Sequence, residues 1–541
     1  VEGEEFTAEV VARVLEIDEK KIVQRLSSEL DRKHRLVRAR VIERLGSQRV
    51  SRYRFRNYLF QKYLYDNLDQ VERSYLHEDV GNALEELYGD RAIDKVVIAP
   101  QLAWHFREAG IAEKAIYYLH KAGEQASHVS AYQEGITHLA RGLELLTTLP
   151  DSPERALQEL ALQLALGIAW QGVTGARSSE VKQANTRAYE LCQQTGETTQ
   201  LCQVLGEMVE FEYVGAEYRS ARELAEEALS LARQTEDPQL VALGHWYLGF
   251  IHFALGEFTT AHDHLEIVIS FYEPQAHHHP FVVLRGKDAG LGALAYDACC
   301  LWCLGYPEKA LKSSQESLAL ARELGHPFSL ADVLAHGGCL LHKMRRDADA
   351  LKEYAEEFMR LTLPNIRGWR GTGESFLGEA LVMMGQVQEG MDQIREGLTT
   401  KHSIDTWCYG SGTLGTLAEA EGKTGHPEKG LTILNEALAL VEQTDERYLE
   451  AELYRLRGEL HIMQGDDDQA EDSFEKAIEV ARRQSAGSWE LRASIGLARL
   501  WEKQGRKEEA QKVLGPVYSW FTEGFDTPDL REARALLEEI S

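Results

Sequence analysis

Glycines recur on a 40-residue ruler at Gly305, Gly385, Gly425, Gly465 and Gly505, with Arg345 on the missing mark. Five residues behind runs a second ladder of small residues: Ala310, Ala350, Gly390, Gly430, Ala470 and Ala510. A fixed period of this length means that one supersecondary unit is copied, each copy burying its apolar face against its neighbours. The local text defines the unit. From Leu460 to Gln464 an apolar stretch closes on Gly465, a residue suited to the left-handed position that ends a helix. A polar turn follows, and Ala470, Phe474 and Ala477 fall at offsets that share one face of a second helix. The unit is an antiparallel helix pair. The ladders continue upstream less regularly, at Gly256 with Ala261 (49 residues before the Gly305 pair), at Gly215 or Ala216 with Ala221, and at Gly110 with Ala115.

This spacing resembles the tetratricopeptide repeat. Gly458, Gly465, Ala470, Phe474 and Ala477 match that family's pattern of small and bulky residues, as do Gly249, Gly256, Ala261, Leu265 and Val268. The period exceeds the family's usual length of about 34 residues, and HEAT-type repeats come close to it. The glycine and alanine ladders favour the tetratricopeptide reading. About ten pairs are expected over residues 101–520. The expected fold is mostly α. It comprises a winged-helix-like domain (1–75), a helical connector with the first repeats (76–150), a tetratricopeptide-like superhelix (151–520) and a C-terminal capping helix (521–541).

The first hundred residues read differently. Phe6 to Leu15 and Asp18 to Lys33 have helical patterning, with Asp18 as N-cap. Leu36 to Leu45 and Val50 to Phe55 are β-rich and joined through Gly46-Ser47-Gln48, which together suggests a winged helix. Residues 31–56 hold ten Lys/Arg against two acids, a local +8 in a chain of formal charge −28. Such a hairpin, with Arg49, Arg52, Arg54 and Arg56, would grip DNA phosphates. The alternative is an intramolecular surface facing an acidic neighbour or a nucleotide, and no base-reading helix stands out.

Three segments carry a second resemblance. Tyr53-Arg54-Phe55-Arg56-Asn57-Tyr58-Leu59-Phe60-Gln61 resembles the segment closing the winged helix of bacterial signal-transduction ATPases with numerous domains. Gln101 to Gly110 looks like that family's first repeat. Trp520-Phe521-Thr522-Glu523-Gly524-Phe525-Asp526-Thr527-Pro528-Asp529-Leu530 is similar to the C-terminus of its cyclase-associated branch. The resemblance implies a sensor arm whose winged helix relays to an NTPase before Val1, with ATP or ADP bound there and an effector, often a nucleotide cyclase, beyond it. The family's usual histidine is Asn57 here, which alters any nucleotide contact made at that position.

The chain itself lacks catalytic equipment. Gly422-Lys423-Thr424 has Leu417 where a phosphate-binding loop needs glycine, and Gly371-Thr372-Gly373-Glu374 reads as a loop before a helix. No apolar run is long enough for a membrane span. Seven unpaired-looking cysteines suit a reducing cytoplasm. Cys299-Cys300-x-x-Cys303 has no second cysteine pair, His262 and His264 lie two apart on a helix, and His277-His278-His279 reads as a solvated loop, so no metal or cofactor is assigned.

Binding is expected in the repeat groove. The groove-lining positions of the tetratricopeptide pattern fall on Tyr213, then Trp246, Phe250 and Phe253, then Trp302 and Cys303, then His342 and Lys343. Further on they fall on Glu379, Glu419 and Glu459, with Lys423 and Arg455 nearby. An aromatic stripe beside an acidic row would anchor a peptide or small inducer and select positive charge. The functional expectation is a ligand- or protein-sensing regulatory arm of a nucleotide-dependent switch. A DNA-binding transcription regulator and a free-standing interaction scaffold are the alternatives.

Overall fold

The computed structural model describes residues 1–45, 48–93, 98–365 and 369–541; the expected Gly46-Ser47 turn lies outside them. The chain forms two compact units, residues 1–126 with 133–166 and residues 127–132 with 167–541. No described helix is long and apolar enough to cross a membrane.

The first unit begins with a short strand, β1 (Glu5–Thr7), where a helix was expected to start at Phe6; the helix runs over Ala8–Val14. Asp18 caps the next helix, Glu19–Arg25, by accepting from the Lys21 N–H, and a π-helical stretch, Leu26–Lys33, continues it. The hairpin β2 (Val37–Leu45) and β3 (Gln48–Phe55) then forms an antiparallel sheet in the order β1–β3–β2. Phe6, Ala8, Ile22, Leu26, Val37 and Tyr53 make its core. Behind it, Gln70–Ile93 packs on the first repeat pair, Ala99–Glu108 and Ala112–His128. There His77 and His105, both fully buried, meet Nδ1 to Nδ1 at 3.0 Å.

The second unit is an α-solenoid of helix pairs. The ladder glycines sit where the text placed them. Gly305, Gly385, Gly425, Gly465 and Gly505 all have positive φ at the turn of a pair. Where the ladder is broken the left-handed residue moves on by one, to Arg346 after Arg345 and to Ala216 after Gly215. The 49-residue gap before Gly305 is explained by an inserted helix, Pro274–Arg285. It carries His277, His278 and His279, which are therefore helical; Pro274 stands at its first turn, where a missing N–H costs nothing, and Pro280 lies inside it. Gly371 to Glu374 is also helical, at the start of Arg370–Met383, and a Cβ on Gly371 would stand 2.7 Å from the Gly397 carbonyl oxygen.

One ring shows why small residues are spaced as they are. Phe474 is fully buried between two first helices, and a Cβ on Gly458 or Gly496 would stand 2.7 or 2.5 Å from it. Successive turns of the solenoid also touch. The Trp407 and Cys408 N–H groups donate to the Val214 carbonyl at 2.9 and 3.2 Å, and those of Arg447 and Tyr448 to the Ala254 carbonyl at 2.8 and 3.2 Å. Trp302 stacks edge-on against Trp489.

The C-terminal signature is a clasp of the same kind. Glu523 accepts from the Glu308 and Lys309 N–H groups, at 3.0 and 3.1 Å, at the start of the helix Pro307–Leu324. A carboxylate suits the positive end of a helix. The Gly524 N–H donates back to Glu308, and a Cβ there would strike Pro307. Trp520 lies over Gly305, and the last helix, Pro528–Ile540, closes the apolar end.

Phe474→Ala is expected to lose about 3–5 kcal/mol, and Gly465→Ala, which meets no neighbour but forces a left-handed alanine, about 1–2 kcal/mol, both read from denaturant midpoints. Burial pushes His77 down to about 4 and His105 down to about 3. Both are neutral when folded but protonate near 6.5 when unfolded. Their stabilising contribution is therefore complete above pH 6.5 and falls as pH drops toward 4. The thermal midpoint of this unit should decline over that window, and more shallowly in His105→Gln.

Candidate functional site

Aromatic side chains of successive first helices in the second unit pack against one another. Tyr213, Trp246, Phe250, Phe253, Trp302, His342 and Glu379, expected on an open groove, are all buried. The reason is the contact between turns: Phe253 packs on Tyr296 and Tyr448, and Trp302 packs on Trp489 under the Arg492 guanidinium. The acidic row is a row of ion pairs. Glu379 meets Lys343 at 2.6 Å, Glu419 meets Lys423 at 2.9 Å and Glu459 meets Arg455 at 3.3 Å. Glu419, Lys343 and Arg455 border a polar cavity of about 250 Å³.

A second cavity, of about 80 Å³, holds three of the expected residues, Tyr213, Trp246 and Phe250. Around them stand groups that the sequence reading did not single out: Glu210, Lys287, Tyr296, Asp332, His336, Trp369, Cys408 and Tyr409. The helices Thr198–Val214, Pro238–Ala254, Ala289–Leu304 and Pro327–Val333, with the π-helical segment Leu334–Leu340, supply most of them. Tyr409 arrives from the following turn in a left-handed conformation at φ 60°. Glu446 fixes it there, accepting from the Tyr409 N–H, the Ser411 N–H and hydroxyl, and the Tyr218 hydroxyl.

Three phenols converge. The Tyr409 hydroxyl lies 2.8 Å from that of Tyr213 and 2.9 Å from that of Tyr296. Burial drives all three pKa values upward, so they stay protonated. His336 Nδ1 donates to the Asp332 carbonyl at 2.9 Å, which leaves Nε2 to accept from the Tyr296 hydroxyl at 2.9 Å. With these roles the imidazole is neutral, in keeping with the burial that lowers its pKa.

A buried charge chain forms one wall. Arg285 bridges Glu207 and Glu210, and Lys287 donates to Glu210 at 3.0 Å with Asp332 at 3.6 Å. Burial would strip the charge from Lys287, but Asp332 and Glu210 outweigh it and raise its pKa. Burial pushes the Glu207 carboxyl up, yet direct contact with Arg285 keeps it as the counter-charge of that guanidinium. The Lys287 ammonium also lies 5.2 Å from the ring of Trp246 and 5.8 Å from that of Trp369. Two polar atoms of this wall, Asp332 Oδ2 and Trp246 Nε1, are buried without a hydrogen-bond partner.

The histidines and cysteines with metal-ligand chemistry lie elsewhere. His262 turns to Asp297 at 2.6 Å, and His264 meets His245 at 2.8 Å, so the two do not act together. His262, Glu266 and Asp297 do place one ligand atom each within 4.8 Å of one another. Cys299, Cys300 and Cys303 are fully buried, and burial raises their pKa values, which disfavours the thiolates a metal needs. In the first unit, Arg54 pairs with Glu4 and Arg56 with Asp31, Arg52 contacts Tyr88, and Arg49 is exposed. Asn57 caps Tyr58–Asp66 by accepting from the Leu59 N–H.

Comparison with known proteins agrees with this architecture. Residues 338–525 match the model of the MalT-like TPR region. The helix pairs over those residues are tetratricopeptide-like. An uncharacterized protein of Rhizobium meliloti strain 1021 is 24% identical over 467 residues, which are 84% of this chain and 44% of that protein. The chain thus spans about half the length of the curated relative it matches. Among solved structures, the Cut9–Hcn1 assembly of the APC/C is similar at 11% identity and TM-score 0.48, covering 89% of this chain and 95% of that one. A signal-transduction ATPase with a tetratricopeptide sensor from Pyrococcus horikoshii is similar at 14% identity and TM-score 0.37, covering 76% and 62%. A Rap protein complexed with competence and sporulation factor is similar at 10% identity and TM-score 0.37, covering 80% and 100%.

Because the Tyr409 hydroxyl makes the two shorter contacts of the triad, with Tyr213 and Tyr296 themselves 3.4 Å apart, Tyr409→Phe should cost about 1–3 kcal/mol, measured by denaturant titration, while Tyr63→Phe on the exposed first-unit surface should cost nothing measurable.

Proposed function

We propose that this chain is the sensing arm of a nucleotide-dependent signalling switch, and that its inducer occupies the cavity around Trp246, Tyr296 and Tyr409. The observation that carries this reading is the origin of the cavity walls. Tyr213 and Tyr409 lie 196 residues apart in sequence and touch through their hydroxyls. A ligand bound there contacts two turns of the solenoid at once, so its binding free energy goes into holding them together. A site that exists fully only in one arrangement of the repeats shifts the population toward that arrangement.

The relay is assigned to the first unit. The helix Tyr58–Asp66 buries none of its residues and exposes Tyr58, Leu59, Tyr63 and Leu64, with Val71 and Tyr75 beyond. An apolar face of this kind suits docking onto another domain, here the NTPase proposed upstream with its bound ATP or ADP. Engagement of Arg52, Arg54 and Arg56 within the unit supports this intramolecular reading over a DNA-binding surface.

The reading frame upstream of Val1 tests the proposal. It is expected to encode an NTPase with a phosphate-binding loop, and nucleotide exchange by that longer protein should respond to an inducer and lose the response in Trp246→Ala. A frame that opens immediately before Val1, or an exchange rate indifferent to every cavity variant, overturns it.

A further inference from the structure

The charge around the cavity does not close. Glu207, Glu210 and Asp332 are three buried carboxylates, and Arg285 and Lys287 are the two cations that meet them. His336 is the nearest group able to supply the missing positive charge. Its ring is already committed as a neutral donor–acceptor between the Asp332 carbonyl and the Tyr296 hydroxyl. The Tyr296 hydroxyl can turn to accept from a protonated ring, and Nδ1 lies 3.6 Å from Asp332 Oδ1, but burial lowers the His336 pKa and keeps the ring neutral. Behind Cys408 and Tyr409, Lys401 and Glu446 are both buried and balance each other.

The deficit has an address. Lys287 is spent on Glu210 and on Asp332 Oδ1, which leaves Asp332 Oδ2 buried and without a donor. A buried carboxylate oxygen without a partner is costly, and a hydrogen-bonded cation is what relieves it. The same wall carries the indoles of Trp246 and Trp369, and the ring of Phe250 lies beside them. Aromatic faces attract a desolvated cation. They already do so for Lys287, which shows that the wall accepts positive charge.

We infer that the cavity takes a small organic monocation, an ammonium on an apolar or aromatic body, with the N–H on Asp332 Oδ2 and the body against Trp246 and Trp369. This deepens the sensor reading and rests on it. An anion would face Glu210 and Asp332, and a neutral molecule would leave the net charge uncompensated.

Three probes of matched size separate the charge classes on the wild-type chain: benzylamine, benzyl alcohol and benzoate, titrated by calorimetry with tryptophan fluorescence as a second readout. Benzylamine is expected to bind at least tenfold more tightly than either of the others, and Asp332→Asn should remove that preference while leaving benzyl alcohol unchanged. Equal binding of the three, or tighter binding of benzoate, overturns the cation assignment while leaving a ligand-binding cavity and hence the sensor reading in place. Binding by none of them overturns the assignment and removes the support the cavity gives to the sensor reading. Because the wild-type comparison needs no substitution, failure of the Asp332→Asn variant to fold does not spare the proposal.

Discussion

The structure of the repeat unit depends on where the ends of its first helices find hydrogen-bond partners. The last turn of any helix leaves carbonyls unsatisfied, and burying them without partners is costly. Here four first helices in succession have such a carbonyl taken by the next turn of the solenoid. Val214 and Ala254 accept from backbone N–H groups at 407–408 and 447–448. The Trp302 carbonyl accepts from the Ser488 hydroxyl, and that of Met344 from the Arg492 guanidinium. The repeats are therefore stacked laterally on neighbours and joined end to end across turns. An ordinary solenoid has only the first kind of contact, with each repeat meeting only adjacent repeats.

The remaining features follow from that constraint. Where the turns meet, residues expected to line an open groove are core. Trp302 closes on Trp489, Phe253 on Tyr448, and Trp520 covers Gly305. Space survives where polar groups hold the walls apart. Around Lys287 and Asp332 the charges are fixed to one another, so aromatic side chains cannot collapse into the space.

Much of this fold was legible in the sequence, and the limits were physical. The ladder of Gly385, Gly425, Gly465 and Gly505 names the left-handed turn residues because only a few residue types accept that conformation. Phe474 between two glycines is a local matter of offsets. The inserted helix Pro274–Arg285 was visible only as a 49-residue gap, because two prolines and three histidines read as loop. The site was half legible. Tyr213, Trp246 and Phe250 follow from repeat position, but Asp332 and Trp369 come from later repeats and Tyr409 from the next turn, and no periodicity states which turn meets which. The one available signal was chemical. Arg285, Lys287 and Asp332 are charges set in apolar text, and such charges need partners from elsewhere in the chain.

Hydrogen exchange at the Trp407, Cys408, Arg447 and Tyr448 amides tests the central claim most directly. If the bonds to Val214 and Ala254 join the turns, these four amides, which lie outside helices or at their edges, should be protected as strongly as the helical amides of Leu453 and Leu456. Their protection should also rise together when a cavity ligand is added. Rapid exchange at all four, as in an exposed loop, while the neighbouring helices remain protected would contradict the account and return the repeats to lateral stacking alone.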